Sequence, residues 1–228
     1  MLKQYLKKII GACKYLRDFP KSLYFNLVVL PFDQAIKLPI RVKWNVRLFK
    51  ITKNCIEINS KVKTNMITIG FRGSIFVPEK KSLIEIQRGG KIIFNGACNI
   101  AEGMNISVLN GGTLELGENF YANRNLQIQC VKKIKIDNES LLGWNISIRD
   151  TDGHLIKENG ISKKISDDIY IAKKVWIASD TTILKGTELA NGTIVACNSL
   201  VSGLKINNTN CLIAGIPAKV KKENMLWK

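Results

Sequence analysis

An aliphatic residue recurs at every sixth position in the C-terminal half of this sequence. The series runs Ile171, Ile177, Ile183, Leu189, Val195, Val201. The position after each is mostly small, as in Ala172, Ala178, Ala190, Ala196 and Ser202. A period of six fits neither an α-helix nor a heptad. It predicts a solenoid of short parallel strands with three six-residue sides per turn, in which the aliphatic side chains fill a triangular core.

The same register continues upstream and is interrupted once. Ile136, Leu142 and Ile148 form a second set, and Leu116, Ala122 and Ile128 form a weaker one. Ile148 and Ile171 are 23 positions apart, one short of a multiple of six. Residues Gly153–Asp168 are therefore predicted to form a loop that leaves the coil. Loops on a rigid scaffold often carry functional groups.

Four stretches give the sequence a resemblance to the hexapeptide-repeat acyltransferases, and within them to the sugar and polysaccharide O-acetyltransferases, with galactoside and maltose acetyltransferases as relatives. They are YANRN (Tyr121–Asn125), LLGWNISIRDTDGH (Leu141–His154), VWIASDTTI (Val175–Ile183) and AGIPAKV (Ala214–Val220). The resemblance covers about residues 84–222. It implies a left-handed parallel β-helix, acetyl-CoA as co-substrate, no metal, and a homotrimer with each site between two chains.

His154 is the one histidine of the sequence and stands at the root of the predicted loop. An alcohol is a poor nucleophile at neutral pH, and an imidazole can accept its proton as it attacks a thioester. The DTDGH context matches the catalytic histidine of the family, which implies direct transfer without an acyl-enzyme. The second ring nitrogen needs a hydrogen-bond partner, and either Asp152 or a backbone carbonyl could supply it.

The remaining site residues follow from the resemblance. On the acceptor side it implies Asn123, Asp152, Asn145 and Trp176, the last beside the donor channel. Asn123 and Asn145 are also residues that favour turns, and a structural role at a coil corner is the alternative. An acidic pair found in some relatives is replaced here by IQCVKK (Ile128–Lys133), which disfavours a simple galactoside or maltose acceptor.

On the donor side the resemblance implies main-chain contacts to the CoA thioester. The residues are Ala178, Ser179, Ala196, Cys197 and Ser202. The backbone amide of Ser179 could polarise the thioester carbonyl. Lys219 and Lys222 match basic residues near the CoA phosphates, and an exposed basic tail is the alternative.

The N-terminal third differs from the repeat and carries most of the excess charge. The formal net charge is +17, and residues 1–63 hold 14 Lys/Arg against three acidic residues. Apolar residues at helical spacing predict an amphipathic helix that ends near Asp18 and Pro20: Leu2, Tyr5, Leu6, Ile9, Ile10, Cys13, Leu16. A second short helical or irregular segment follows, and then strand-like pieces at residues 42–51, 55–58 and 67–77. The helix could cap the open end of the solenoid or dock on anionic lipid headgroups.

These features divide the chain into a basic extension (1–63), a β-helix (64–222) with the loop 153–168, and a tail (223–228). Nucleic acid is disfavoured, because 28 basic residues are Lys and only seven are Arg. The six scattered cysteines and single histidine offer no zinc site. We expect no secretory signal and no membrane span, since the apolar stretch at residues 23–32 is too short. A cytoplasmic protein, peripheral at most at the inner face of the plasma membrane, is expected.

The leading hypothesis is an acetyl-CoA-dependent O-acetyltransferase acting on a sugar of a surface polysaccharide or its precursor. The alternatives are an N-acetyltransferase for an amino sugar, a serine O-acetyltransferase, and a non-catalytic β-helix scaffold. A β-helix carbonic anhydrase would need three zinc-binding histidines and is excluded.

Overall fold

The computed structural model describes residues 2–228, with side chains from Cys13 onward. Two helices open the chain, α1 (Leu2–Val29) and α2 (Phe32–Ala35). The strands that follow are short and numerous: β1 (Ile40–Val42), β2 (Arg47–Phe49), β3 (Ile56–Ile58), β4 (Ile67–Phe71), β5 (Leu83–Ile86), β6 (Lys91–Phe94), β7 (Cys98–Ala101), β8 (Asn105–Val108), β9 (Thr113–Leu116), β10 (Phe120–Ala122), β11 (Gln127–Cys130), β12 (Lys133–Ile136), β13 (Leu141–Leu142), β14 (Ser147–Arg149), β15 (Lys157–Glu158), β16 (Ile161–Ser162), β17 (Ile169–Ile171), β18 (Trp176–Ile177), β19 (Thr182–Leu184), β20 (Glu188–Leu189), β21 (Ile194–Val195), β22 (Leu200–Val201), β23 (Leu212–Gly215) and β24 (Ala218–Lys222).

The strands stack into three parallel sheets, and successive strands of the coil enter sheets A, B and C in turn. Sheet A has the order β1-β4-β7-β10-β13-β18-β21-β23-β24, sheet B has β2-β5-β8-β11-β14-β19-β22, and sheet C has β3-β6-β9-β12-β17-β20. Only β24 is antiparallel to its neighbour in these sheets. The predicted left-handed parallel β-helix is confirmed.

The sixth-position aliphatic residues form the core, one per side of each coil. Ile177, Ile183 and Val195 are fully buried, as are the other members of the series. Their side chains stack in register, with Ile177 beside Val195 in sheet A and Ile183 beside Val201 in sheet B. The hydroxyl of Thr193 is buried at a corner and donates to Ala190 O at 2.7 Å. The Thr193 hydroxyl thus provides a donor for a carbonyl that makes no hydrogen bond to a neighbouring strand.

The coils are not of equal length, which explains why the period is visible only in the C-terminal half. In sheet A, Val42, Ile69, Ile100 and Ala122 are aligned, and the length of chain from each to the next differs from coil to coil. Further on, Ile177, Val195 and Ile213 are aligned at equal intervals along the chain. The first coil begins at Ile40, so residues 40–63, which the sequence assigns to the extension, belong to the β-helix. Long turns hide its period.

Helix α1 covers the free edge of β1. Asn26 Nδ2 donates to Ile40 O, Ser22 Oγ accepts from Val42 N, and Asp18 Oδ1 accepts from Trp44 N. These helix residues are four apart, about 6 Å along the axis, and the strand residues are two apart, about 6.6 Å. Because the two spacings match, one helix face satisfies an edge that would otherwise be open. Capping of the solenoid end is thus one role of the helix.

The helix does not end at Pro20, contrary to the sequence prediction, and runs on to Val29. Proline removes one hydrogen bond to the carbonyl four residues earlier. That residue is Leu16, which is 68% exposed, so the missing bond lies on the solvent-facing side of the helix. The side chains of residues 1–12, on which most of the predicted amphipathic pattern falls, lie outside the described part of the chain. No helix in residues 2–228 combines the length and hydropathy of a membrane span.

Candidate active site

The predicted site residues fall on two different corners of the β-helix. The A–B corner, where the chain passes from sheet A to sheet B, holds Asn123, Asn145, Ala178, Ser179, Ala196 and Cys197. The B–C corner, where it passes from sheet B to sheet C, holds Asp152, His154 and Ser202. Trp176 lies in β18 of sheet A, and Lys219 and Lys222 lie in the end strand β24. About six residues of extended chain, close to 20 Å, separate the two corners across sheet B.

The loop with His154 leaves the B–C corner between β14 and β17 and contains the hairpin β15–β16. Its root is anchored by charge. Asp150 is buried and accepts from the N–H groups of Val131 and Lys132 at 2.8 and 2.7 Å, and Lys132 Nζ lies 2.8 Å from Asp168 Oδ1. These contacts hold the root of the loop in place, although the loop itself is exposed.

His154 is exposed, and its imidazole makes no hydrogen bond with any residue in the described part of the chain. Asp152, one of the two candidate partners, instead places its carboxylate 2.6 Å from Lys185 Nζ on the next coil. This ion pair joins the loop to the β-helix just before the histidine. In the single chain the structure thus gives Asp152 an anchoring contact, and the imidazole is open to a ligand.

Asn145 binds other residues of the A–B corner through both its side-chain oxygen and its side-chain nitrogen. It belongs to a column of residues with positive φ on successive coils: Asn125, Asn145, Asp180 and Asn198, with φ of 63°, 56°, 59° and 55°. Asn145 Oδ1 accepts from Asn125 Nδ2 at 2.9 Å, and its Nδ2 donates to Asp180 Oδ1 at 2.8 Å. Asn and Asp tolerate this conformation better than other side chains. The structural alternative for Asn145 accounts for all its contacts.

The A–B corner presents a row of free backbone donors. The N–H groups of Trp144, Ser179 and Cys197, one per coil, donate to no acceptor within residues 13–228. A Cβ on Gly143 would lie 2.8 Å from Ser179 N and 2.7 Å from its Oγ. Glycine at this position therefore keeps the Ser179 amide accessible. A preorganised backbone donor of this kind can bind the oxygen of a polarised carbonyl.

Residues 72–82, here called the 72–82 segment, lie beside Asn123. The sequence predicts a strand over 67–77 and no part for it in the site, whereas β4 ends at Phe71. Asn123 Oδ1 accepts from the N–H groups of Ser74 and Arg124 at 2.8 and 2.9 Å, which leaves its Nδ2 free to donate. The ring of Phe76 lies 5.1 Å from that of Trp144, and Phe76 is 77% exposed. The one hint of this contact in the sequence is the glycine at position 73. In the folded chain a Cβ there would lie 2.7 Å from Asn123 Oδ1, too close for any residue but glycine.

A buried ion network fixes this segment to the first coil. Glu102 is 5% exposed and binds Lys43, at 2.5 Å, and Arg124. Arg124 Nη1 also donates to Val77 O at 2.7 Å. Burial by itself would raise the pKa of Glu102, but the hydrogen bonds from Lys43 and Arg124 outweigh it and hold that pKa below its usual value. The network thus orders the residue next to Asn123.

Trp176 is half-buried under the C-terminal tail. Its ring centroid lies 6.1 Å from that of Trp227, and Trp227 Nε1 donates to Lys174 O at 3.0 Å. No pattern in the sequence indicated this contact. Lys219 and Lys222 are exposed on β24, where they can meet an anion from solvent. Cys197 is exposed as a free thiol.

Known proteins share parts of this sequence. The chain is 29% identical over 220 residues, 96% of its length and 91% of the other's, to an uncharacterized 24.8 kDa protein in the cps region of Klebsiella pneumoniae. It is 30% identical over 116 residues to the galactoside O-acetyltransferase of Escherichia coli K12, a match that spans 50% of this chain and 55% of that protein. No family model matches the chain.

Among solved structures, the polySia-specific acetyltransferase NeuO superposes with a TM-score of 0.50 at 20% identity, covering 83% of each chain. This likeness is one of fold. The chain thus shares the left-handed β-helix fold with NeuO, and half of it is similar in sequence to a galactoside O-acetyltransferase.

Proposed function

We propose that the protein transfers an acetyl group from acetyl-CoA to a hydroxyl of a sugar in a surface polysaccharide or its precursor, with His154 as general base. The observation that carries the proposal is the position of His154, exposed on an anchored loop root with its imidazole open to a ligand. Similarity to a galactoside O-acetyltransferase supports a sugar hydroxyl. Similarity to a protein in a cps region favours a polysaccharide acceptor.

The reaction is a direct acyl transfer. The imidazole of His154 accepts the proton of the sugar hydroxyl while the hydroxyl oxygen attacks the thioester carbonyl carbon. The carbon–sulfur bond then breaks, and the imidazolium returns the proton to the CoA thiolate. In the tetrahedral intermediate the negative oxygen accepts a hydrogen bond from the Ser179 N–H, which Gly143 leaves accessible.

The residues present fit a CoA thioester along the A–B corner. Ala178 and Ala196 follow aligned strands, so their main chains lie one coil apart, and we assign them with Ser179 and Cys197 to the pantetheine arm. Lys219 and Lys222 on β24 would meet the phosphates as exposed cations. Ser202 lies at the B–C corner, away from the free amides of the A–B corner. Trp176 lies in sheet A against Trp227 and does not join the row of free amides either.

A second copy of the chain completes the site. His154 on the B–C corner and Ser179 on the A–B corner are separated by the width of sheet B, too far for one substrate to react with both. A homotrimer that places the A–B corner of one chain against the B–C corner of the next would bring them together. Four exposed apolar residues on the loop are available for that contact: Leu155, Ile156, Ile161 and Ile165.

The acceptor would lie against Asn123 and the 72–82 segment. The free Nδ2 of Asn123 can donate to a sugar hydroxyl, and the exposed Phe76–Trp144 pair offers an aromatic surface for the ring. Asp152, held by Lys185, is assigned a positioning role for the loop. Since acetyl-CoA is the donor, we place the reaction on the cytoplasmic side of the membrane.

The test is calorimetric titration of the protein and of His154→Ala with acetyl-CoA, together with thioester turnover on glycans, amino sugars and serine. Binding by both proteins, with turnover on a glycan by the wild type alone, is the expected result. Turnover only with an amino sugar or serine would show that this compound, and not a sugar hydroxyl of a polysaccharide, is the acceptor. If neither protein binds acetyl-CoA or free CoA, the β-helix is a scaffold and the enzyme proposal fails.

A further inference from the structure

Helix α1 has a second face that the β-helix does not use. While Asp18, Ser22 and Asn26 point at β1, the opposite side carries an apolar stripe at helical spacing: Leu16, Pro20, Leu23, Tyr24 and Leu27. Leu16, Tyr24 and Leu27 are 68%, 58% and 47% exposed. The stripe is about 16 Å long from Leu16 to Leu27. One helix thus combines an inner capping face with an outer apolar face.

The turn between β1 and β2 extends this stripe with an aromatic side chain. Trp44 is 47% exposed, and a concavity of about 620 Å³ joins Arg17 and Tyr24 of α1 to Trp44, Arg47 and Leu48. Lys21 Nζ donates to the carbonyls of Trp44 and Val46, which fixes the turn against the helix. The outer stripe of α1 and residues 44–48 are here called the Trp44 surface.

The charge of the Trp44 surface is of one sign. The Arg17 guanidinium carbon lies 5.0 Å from the Trp44 ring centroid, and Arg47 and Lys21 line the same concavity. Between residues 13 and 56 the acidic residues are Asp18 and Asp33. Asp18 is 2% exposed and paired with Arg41, and Asp33 lies on α2 outside the concavity. The nearest exposed carboxylate, that of Glu79, binds Lys43 and Asn45 and lies outside the concavity. Apolar and cationic groups therefore meet in the concavity without a carboxylate in its lining.

We propose that the Trp44 surface docks the protein on a membrane containing anionic lipids. Lysine and arginine at the rim would bind the headgroup phosphates, and Trp44, Tyr24 and the leucines of α1 would enter the interfacial region, where tryptophan and tyrosine are favoured. The same surface on a second copy would bring cations against cations, so charge favours the lipid over self-association. This inference is independent of the acetyl transfer proposed above.

The expected trimer would strengthen such docking. Rotation about a threefold axis leaves all three copies of the Trp44 surface on the same side of the assembly. Three weak contacts to one membrane then act together, and each further contact is intramolecular. Membrane binding is accordingly expected to be reversible for one chain and much tighter for the assembly.

The test is co-sedimentation of the full-length protein with two kinds of vesicle, phosphatidylcholine alone and phosphatidylcholine mixed with phosphatidylglycerol, each at low and high salt. Binding to the anionic vesicles that falls with salt is expected. Arg47→Glu should lower it about tenfold or more, since each basic residue near the surface adds about fivefold in affinity and the new carboxylate is also repelled by the anionic lipids. Leu16→Ser/Leu27→Ser should weaken binding at both salt concentrations, because the apolar part is not screened.

The matched control is Lys133→Glu, which makes the same change of net charge on an exposed position of sheet C. It should bind vesicles as the wild type does. No binding to anionic vesicles, or an equal loss in Arg47→Glu and Lys133→Glu, overturns the proposal. A change of sedimentation coefficient in Leu16→Ser/Leu27→Ser with unchanged vesicle binding also overturns it, since the surface would then be covered by another copy. Circular dichroism shows that each variant is folded.

Discussion

The side-chain amide of Asn26 binds both backbone groups of Ile40, donating to its carbonyl at 2.6 Å and accepting from its N–H at 3.1 Å. Asn26 is fully buried. The residue therefore substitutes for the missing neighbouring strand at the first edge of sheet A. Replacing it by a residue without polar atoms would leave a buried donor and a buried acceptor without partners.

We accordingly predict that Asn26→Leu lowers the free energy of unfolding by about 2–4 kcal/mol, the penalty for two unsatisfied buried backbone groups. Urea unfolding measures it. Asn59→Ala, at an exposed position, is the matched control and should change stability by less than about 0.5 kcal/mol. Equal effects of the two substitutions would show that α1 does not stabilise the edge.

Gly143→Ala is predicted to impair transfer by covering the Ser179 amide. The new Cβ would lie 2.8 Å from Ser179 N, so the backbone donor is displaced or shielded. Loss of one oxyanion donor lowers kcat about a hundredfold. Gly96→Ala brings a Cβ within 2.7 Å of Glu118 at another corner and controls for a general packing defect. A similar kcat for both variants would contradict the role of Ser179.

Phe76→Ala is predicted to raise KM for a glycan acceptor by about two- to tenfold while KM for acetyl-CoA stays the same. Stacking on an aromatic ring is worth about 0.5–1.5 kcal/mol. Because Phe76 is 77% exposed, its truncation should not unfold the protein. Steady-state kinetics with both substrates provide the measurement, and Ile36→Ala, 58% exposed after α2, is the control. An unchanged acceptor KM would remove Phe76 from the acceptor site while leaving the reaction itself in place.

The Glu102 network is predicted to make stability fall in acid. Hydrogen bonds from Lys43 and Arg124 hold the pKa of Glu102 below its usual value despite burial. A carboxyl whose pKa is lowered by folding stabilises the protein fully above its unfolded pKa, near 4.5, and loses that contribution as the pH falls through the folded pKa. Acidification below about pH 4.5 should therefore weaken the contact between the first coil and the 72–82 segment.

Glu102→Gln should cost about 1–3 kcal/mol at pH 7, because it leaves Arg124 without its counter-charge and Lys43 with Glu79 alone. The difference from the wild type should shrink at pH 4 and below. Urea unfolding at several pH values measures both, with Glu118→Gln at an exposed position as control. A difference that stays constant between pH 7 and pH 3 would show that the charge of Glu102 does not contribute.

Residue periodicity carried the prediction of the fold, and it succeeded where the coils are shortest. Ile177, Val195 and Ile213 follow one another at equal intervals, so the repeat is legible in the sequence. It failed for the first coil, since the turns around Val42 and Ile69 are too long to preserve the register. The continuation of α1 through Pro20 was missed for another reason. Hydrogen bonds between Asn26 and Ile40 hold the part of the helix that follows the proline against β1, and contacts between distant residues leave no local signal.

The triangular coil and the loop that carries His154 could be predicted, because a six-residue period and its interruption are local properties of the sequence. The role of the imidazole as a base stays a prediction. Which groups meet depends on the folded chain. Folding paired Asp152 with Lys185, brought the 72–82 segment to Asn123 and separated Ser179 from His154 by the width of sheet B. Stacking of coils sets these distances, and residues far apart in the sequence become neighbours through turns whose lengths follow no repeat.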